Sequence, residues 1–213
     1  MNAAILTPVL DWLDLVGVAL FALTGALVAA EQRQTLVTLA FFALVTGVGG
    51  GTIRDLLIGA PVFWITDAWV AAVCLGMALL VWFAPPSWWR GRLIPVADGL
   101  GLAAYAVLGT AKSLEYGVPP VPAFLMGVVT GCAGGIVRDV LAGRPSILMR
   151  PELYVTAAAL AAVLTVLGDL AGMVRWHAWI LATAAGFGLR LAAIRWNLAL
   201  PAHAGGAAGQ SEG

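Results

Sequence analysis

Two Arg–Asp pairs lie within apolar sequence, and a cluster of glycines precedes each pair. Residues 45–61 read VTGVGGGTIRDLLIGAP, and residues 129–145 read VTGCAGGIVRDVLAGRP. Charged groups in long apolar stretches usually face a protein interior or a water-filled cavity, and they commonly mark ion or substrate pathways. Among the residues that the two segments share at a constant offset of 84, Thr46, Gly47, Gly50, Gly51, Arg54, Asp55, Gly59 and Pro61 recur as Thr130, Gly131, Gly134, Gly135, Arg138, Asp139, Gly143 and Pro145.

The same offset continues outside these two segments, so the chain contains a duplicated unit. It relates Asp14 to Asp98 and Glu31 to Glu115. Paired halves with interrupted apolar segments are the best indication of a transport pathway that a sequence offers. We therefore expect the two Arg–Asp pairs to occupy equivalent places in a path for a charged or polar solute.

The composition is that of a membrane protein. Hydrophobic residues make up 62% of the chain and charged residues 10%, and the mean hydropathy is +0.97; a soluble domain has about a quarter of its residues charged. Uncharged runs cover residues 34–53, 68–89, 116–137 and 153–168, and about 18 apolar residues can cross a bilayer. The runs do not alternate in hydrophobicity, which predicts helices rather than barrel strands.

The runs and the prolines between them predict an all-α membrane protein with seven transmembrane helices. We expect a single transmembrane domain over about residues 1–200 and a disordered tail over residues 201–213, which are small and polar. The first repeat covers about residues 12–84, the second about 94–169, and an extra seventh helix about 176–195. Because each repeat crosses the membrane three times, the second is inverted relative to the first. The predicted spans cover about residues 12–30, 36–57, 66–84, 94–113, 121–142, 152–169 and 176–195.

The distribution of arginines predicts the orientation of the chain. Cytoplasmic loops of membrane proteins carry an excess of Lys and Arg, and most basic residues here follow spans one, three, five and seven. We therefore expect the N-terminus outside and the C-terminus in the cytoplasm. The residues that carry this prediction are Arg33, Arg90, Arg92, Arg144, Arg150, Arg190 and Arg195.

The clustered glycines allow two interpretations. Glycine inside a helix costs about 1 kcal/mol relative to alanine and lets the backbone leave helical geometry, so Gly49, Gly50 and Gly51 predict a break in span two. Gly134 and Gly135 predict a second break in span five. Unwound carbonyls must face protein or water, where they can replace the hydration shell of a cation. The other interpretation is close helix packing through small residues, and both remain open.

The Arg–Asp pairs are candidate charges at a pore mouth. Adjacent residues on a helix point about 100° apart, so each side chain can reach a different span. The alternative is that the pairs mark helix ends at the membrane interface. The acidic residues available as partners are Asp14, Glu31, Asp98 and Glu115.

The sequence contains no pattern typical of catalysis or of a resident cofactor. His177 and His203 are too few and too far apart for a metal site, and Cys74 and Cys132 have no metal-ligand or redox spacing. GVGGGT is not a dinucleotide-binding fingerprint, and no nucleophile–base pair is recognisable. We expect no enzyme activity, no cofactor, no resident metal and no nucleic-acid partner.

Residues 49–64 (GGGTIRDLLIGAPVFW) and 134–145 (GGIVRDVLAGRP), with the helix starts at Asp14 and Asp98, resemble the prokaryotic members of the trimeric intracellular cation channel (TRIC) family. The resemblance covers about residues 11–196. It implies a homotrimer surrounded by membrane lipids, with a potassium-permeable pore in each subunit and a location in a bacterial inner membrane. It also implies that spans two and five are kinked at glycines and line that pore. In this resemblance, Arg138-Asp139-Val140 is similar to a phosphoinositide-bound Lys-Glu-Val segment in the fifth span of animal members.

The sequence therefore predicts a passive, potassium-permeable cation channel whose only bound metal is potassium in transit. A secondary transporter of a small solute or ion is the alternative, because it shares inverted repeats and broken helices. The predicted pore-lining and ion-binding residues are Thr46, Gly49, Gly50, Gly51, Thr130, Gly134 and Gly135. The predicted pore-mouth or gating charges are Arg54, Asp55, Arg138, Asp139, Asp14 and Asp98.

Overall fold

The computed structural model describes residues 3–85 and 92–201, with side chains from residue 14 onward. Regular structure in these ranges is helical, apart from one isolated β-bridge between Glu152 and Ala199. A 3₁₀ helix, Ile147–Met149, precedes the seventh α-helix. The α-helices in the described ranges are α1 (Ala3–Glu31), α2 (Leu36–Ile58), α3 (Phe63–Thr66), α4 (Ala68–Phe83), α5 (Leu93–Glu115), α6 (Pro120–Leu141), α7 (Val155–Leu170) and α8 (Arg175–Trp196).

A helix of at least 16 residues lies at each predicted span, but the helices differ in length. Five are long and apolar enough to cross a membrane: residues 14–31 of α1, and α2, α5, α6 and α8. Helices α4 and α7 have 16 residues each, or about 24 Å, which is less than a hydrocarbon core of about 30 Å. Helix α1 begins at Ala3 rather than near residue 12, and α3 was not predicted. Of the tail predicted over residues 201–213, residues 202–213 lie outside the described residues.

Local signals explain several helix ends. Thr35 caps α2 by accepting a hydrogen bond from the Thr38 N–H at 3.3 Å, which satisfies one of the free N–H groups of the first turn. Gly59 ends α2 with a φ of 69°, a left-handed conformation that glycine adopts without strain. Pro120 begins α6, where its missing N–H removes no helical hydrogen bond.

Two apolar cores hold the helices together. The first is built from α1, α2 and α4 and contains Cys74, and the second is built mainly from α5, α7 and α8 and contains Cys132 of α6. Both cysteines are buried and free, so they act as small apolar residues. The two groups of helices meet where α1 contacts α5 and where α2 contacts α6. These two crossings bring the duplicated segments together.

Candidate functional site

The first charged cluster surrounds a buried guanidinium. The Nε of Arg54 in α2 donates to Asp55 Oδ1 at 2.9 Å, and its two terminal nitrogens donate to the carboxylate of Asp14 in α1 at 3.2 and 3.4 Å. Lys112 Nζ of α5 lies 2.8 Å from Asp55 Oδ1. The second oxygen of Asp55 accepts from the backbone N–H of Phe63 at 3.0 Å. Two cations and two carboxylates therefore form a formally neutral network that joins α1, α2 and α5.

The second cluster repeats this geometry in the other half. Arg138 Nη1 of α6 pairs with the Asp98 carboxylate of α5, and its Nε and Nη2 donate to Asp139 Oδ1 at 3.0 and 2.9 Å. The second oxygen of Asp139 accepts from the backbone N–H of Ile147 at 2.9 Å. Each of these residue pairs has a counterpart in the first cluster at the offset of 84, although Nη2 of Arg138 binds Asp139 whereas Nη2 of Arg54 binds Asp14. The duplicated sequence thus folds into duplicated ion-pair chemistry.

The other two candidate acidic partners make different pairs. Glu31 binds Arg144 at 3.0 Å and Glu115 binds Arg175 at 2.7 Å, and all four side chains are partly exposed. Exposed pairs contribute about 0–1 kcal/mol, whereas breaking a buried pair costs about 3–5 kcal/mol. The energetically important pairs are therefore those that Arg54 and Arg138 make with buried carboxylates.

Two substitutions make the clusters unequal. Lys112 of the first cluster corresponds to Val28 in the other repeat (112 − 84 = 28), and within residues 3–85 and 92–201 Arg138 is the only cation paired with Asp98 or Asp139. Instead, Arg138 Nη1 donates to the hydroxyl of Thr24 in α1 at 3.2 Å. The second cluster therefore has two carboxylates for one guanidinium. Its formal net charge is −1, whereas the formal net charge of the first cluster is zero.

Each cluster forms part of the wall of a cavity. The first cavity, about 340 Å³, is lined by Asp14, Phe63 and Lys112 among others. The second cavity, about 390 Å³, has a strongly charged lining. Polar cavities within an apolar helical bundle can keep an ion hydrated below the membrane surface. The charged residues that line the second cavity are Arg92, Asp98, Arg138, Asp139, Arg144, Arg150, Glu152 and Arg190.

The predicted breaks at the glycines are wrong. Helix α2 is continuous from Leu36 to Ile58, and α6 is continuous from Pro120 to Leu141, so neither helix unwinds at its glycine cluster. Their carbonyls remain in helical geometry. The physical reason is the packing of α2 against α6, which needs residues without side chains at the crossing but no gap in the helices.

The crossing of α2 and α6 is built symmetrically from glycine and threonine. A Cβ at Gly50 would overlap the backbone carbonyl of Thr130, and a Cβ at Gly134 would lie 2.8 Å from the carbonyl oxygen of Thr46. Gly49 is different, since its Cβ would approach no atom closer than 3.9 Å. The other two predicted glycines, Gly51 and Gly135, face the Phe63 ring and the Tyr154 hydroxyl, respectively.

The structure adds residues that the sequence did not indicate as parts of the site. Lys112 is the only lysine in the chain. Its rarity was the one feature of the sequence that could have indicated its place in the first cluster. Arg190 of α8 is 1% exposed; it binds Glu152 at 2.7 Å and lies over the Tyr154 ring at 5.3 Å. Thr24 has no sequence signal at all, because its role depends on the packing of α1 against α6.

Comparison with known proteins identifies a family model and similar bacterial membrane proteins. The family model described as "Glycine transporter" matches twice, over residues 11–86 and 95–169. A UPF0126 membrane protein from Vibrio cholerae is 37% identical over 209 residues, 95% of this chain and 86% of its own. The UPF0126 inner membrane protein YadS of Escherichia coli K12 is 38% identical over 204 residues, 91% of this chain and 95% of its own.

A solved structure is similar at the level of both sequence and fold. The crystal structure of the TRIC trimeric intracellular cation channel orthologue from Rhodobacter sphaeroides has a TM-score of 0.84 and 40% identity, covering 89% of this chain and 99% of that one. The fold and its buried charge clusters thus define an all-helical membrane protein of the TRIC type. The chain belongs to the family that the "Glycine transporter" model describes, and the resemblance to prokaryotic TRIC members is confirmed.

Proposed function

We propose that this protein is a passive cation channel of a bacterial inner membrane, with potassium as the main permeating ion. The observation that carries the proposal is the pair of equivalent buried Arg–Asp clusters, each in the wall of its own polar cavity. A cation can cross a bilayer only where water or polar protein groups solvate it, and these cavities bring such groups into the bundle. The 40% identity to a protein described as a cation channel supports this function.

The proposed architecture is a homotrimer of seven-span subunits. Two matches to one family model and the matching contacts at the offset of 84 support two three-helix repeats, the second inverted relative to the first. We propose one domain over about residues 1–200, with a disordered tail after it, the N-terminus outside and the C-terminus cytoplasmic. The trimer follows from the description of the Rhodobacter orthologue.

The proposed pore in each subunit runs from one cavity to the other past the crossing of α2 and α6. Carbonyl and hydroxyl oxygens at this crossing are the available ligands for a dehydrated potassium ion, and we propose that the helices bend at their glycines when the pore opens. The lining residues are Thr46, Gly49, Gly50, Gly51, Thr130, Gly134 and Gly135. The charges at the two mouths are Asp14, Arg54, Asp55, Asp98, Arg138 and Asp139.

Single-channel recording tests this function. Purified protein in a planar bilayer under a potassium chloride gradient is expected to give discrete current steps that reverse near the potassium equilibrium potential. A protein-free preparation from the same detergent is the control. Reversal near the chloride potential, or no unitary steps in any preparation that remains trimeric, would contradict the proposal.

A secondary transporter is the second candidate, and the description of the family model as "Glycine transporter" favours it. Such a protein would move a small zwitterion by alternating access between the two cavities. Uptake of radiolabelled glycine into proteoliposomes, measured beside the potassium current, separates the candidates. Saturable uptake without unitary currents selects the transporter, and currents without uptake select the channel.

Lys112 is expected to limit cation entry from the first cavity. Its ammonium lies 2.8 Å from Asp55 and is 14% exposed, so it occupies a place that a permeating cation would favour. Two unit charges about 4 Å apart in water interact by about 1 kcal/mol, which corresponds to roughly five-fold in local ion occupancy. Lys112→Met should therefore raise unitary conductance by up to about five-fold in dilute salt, and less at about 1 M salt, where charges are screened.

The control for this change is Arg195→Gln, which removes an exposed positive charge that is not part of either cavity lining. The conductance of this variant should match the wild type at each salt concentration. Equal conductance for Lys112→Met and the wild type in dilute salt would exclude a role for Lys112 in cation entry.

A further inference from the structure

Two aromatic side chains meet where α1 crosses α5. The rings of Phe21 and Tyr105 have centroids 5.4 Å apart and planes at 73°, and both side chains are buried. They are equivalent residues of the two repeats, at the offset of 84. A Cβ at Gly17 would overlap the Tyr105 ring, and a Cβ at Gly101 would lie 3.3 Å from the Phe21 ring. Each ring therefore packs directly on the backbone of the opposite helix.

The ring pair lies between the two charged clusters. Phe21 follows Asp14 by seven residues on α1, and Tyr105 follows Asp98 by seven residues on α5, which is about 10 Å along a helix in each case. Asp14 lines the first cavity and Asp98 lines the second. Among the described residues that line these cavities, neither ring is included. Because Gly17 approaches the Tyr105 ring and Gly101 approaches the Phe21 ring, α1 and α5 run antiparallel at the pair, which places Asp14 and Asp98 on opposite sides of it.

The same two rings also contact the crossing of α2 and α6. A Cβ at Gly134 of α6 would lie 3.3 Å from the Phe21 ring. The Tyr105 hydroxyl lies 3.3 Å from the carbonyl oxygen of Gly47 in α2 and 3.4 Å from that of Asp14 in α1. The pair therefore fills the space between the two helix crossings through which a path from cavity to cavity would run.

We propose that the Phe21–Tyr105 pair is the closed barrier of the pathway and that the Tyr105 hydroxyl holds it shut. This inference rests on the proposed channel function. An apolar constriction blocks ions because a cation there loses its hydration without gaining ligands. The opening step is a movement of the two rings out of the space between the crossings.

The hydrogen bonds of Tyr105 are long, so they can hold the ring in the closed position and still break when the pathway opens. One phenol proton is shared between two carbonyl acceptors at 3.3 and 3.4 Å, which is longer than the usual 2.7–2.8 Å of an O–H···O bond. Both acceptors are backbone carbonyls within helices, so they keep their helical partners when the hydroxyl leaves. Phe21 occupies the equivalent position without a hydroxyl, and this makes Tyr105 the side of the pair that fixes the closed state.

Single-channel recording of ring variants tests the barrier. Tyr105→Ala and Phe21→Ala are each expected to lose the long closed periods of the wild type, because either change opens the space between the crossings. Leu39→Ala is the matched control, since it shortens a buried side chain of the α1–α2–α4 core away from the pair. It should keep the closed periods of the wild type.

Tyr105→Phe tests the role of the Tyr105 hydroxyl in the closed state with little risk to folding. It keeps the ring and removes the hydroxyl, so open probability is expected to rise about five-fold, the ratio equivalent to about 1 kcal/mol for one hydrogen bond.

Wild-type gating in both Tyr105→Phe and an alanine variant would overturn the barrier while leaving the channel function in place. If no variant and no wild-type preparation carries current, both proposals are overturned. If an alanine variant conducts and the wild type does not, the barrier is supported and wild-type conduction is contradicted.

Discussion

Arg138→Met is expected to destabilise the folded protein by about 3–5 kcal/mol, the cost of breaking a buried ion pair. Arg138 is the cation that contacts both Asp98 and Asp139 in the described part of the chain, and all three side chains are buried. Methionine keeps an apolar chain of similar length but leaves the two carboxylates side by side without a positive charge. The loss should appear as a lower midpoint of thermal unfolding in detergent.

Arg54→Met is the matched comparison and should cost less. Lys112, which lies 2.8 Å from Asp55 in the wild type, is kept in this variant, so one of the two carboxylates is expected to keep a cation. A second variant, Arg138→Met with Asp98→Asn, should recover part of the lost stability, because it removes one of the two uncompensated charges. Equal losses of stability at the two arginines would contradict the proposed inequality of the clusters. Strictly additive losses in the double variant would contradict the coupling of Arg138 to Asp98.

Gly50→Ala is expected to destabilise the protein by about 1–3 kcal/mol through overpacking. A Cβ at Gly50 would overlap the carbonyl of Thr130, and a backbone group in α6 can move only if the two helices separate. Gly134→Ala places its Cβ 2.8 Å from the carbonyl oxygen of Thr46 and should have a similar effect. The measurement is again thermal unfolding, with size-exclusion chromatography to verify the oligomer.

Gly49→Ala is the control that separates packing from helix propensity. Its Cβ would approach no atom closer than 3.9 Å, and alanine favours a helix by about 1 kcal/mol over glycine. Stability should therefore stay the same or rise. A loss at Gly49 equal to the loss at Gly50 would show that the glycines act through backbone flexibility and not through the close crossing.

The sequence by itself determined where the seven longer helices lie, though not the short helix α3. Long uncharged runs separated by prolines and glycines placed a helix at each predicted span, because apolar segments of that length can satisfy their backbone hydrogen bonds in a bilayer only as helices. The offset of 84 also identified Arg54 and Arg138 as equivalent residues and named Asp14 and Asp98 among their possible partners. These results depend on local composition and on repetition, both of which a single chain displays.

The tertiary structure decided how those residues are used. Glycine clusters are compatible with either a broken helix or a close crossing, and only the approach of Gly50 to the Thr130 carbonyl selects the crossing. Lys112, though distant in sequence from Asp55, joins its cluster, which makes the two halves electrostatically unequal. The central contact of Phe21 with Tyr105 likewise depends on two helices that are far apart in sequence. A sequence records which groups are present, but their pairing follows from how helices pack, and packing depends on the whole chain.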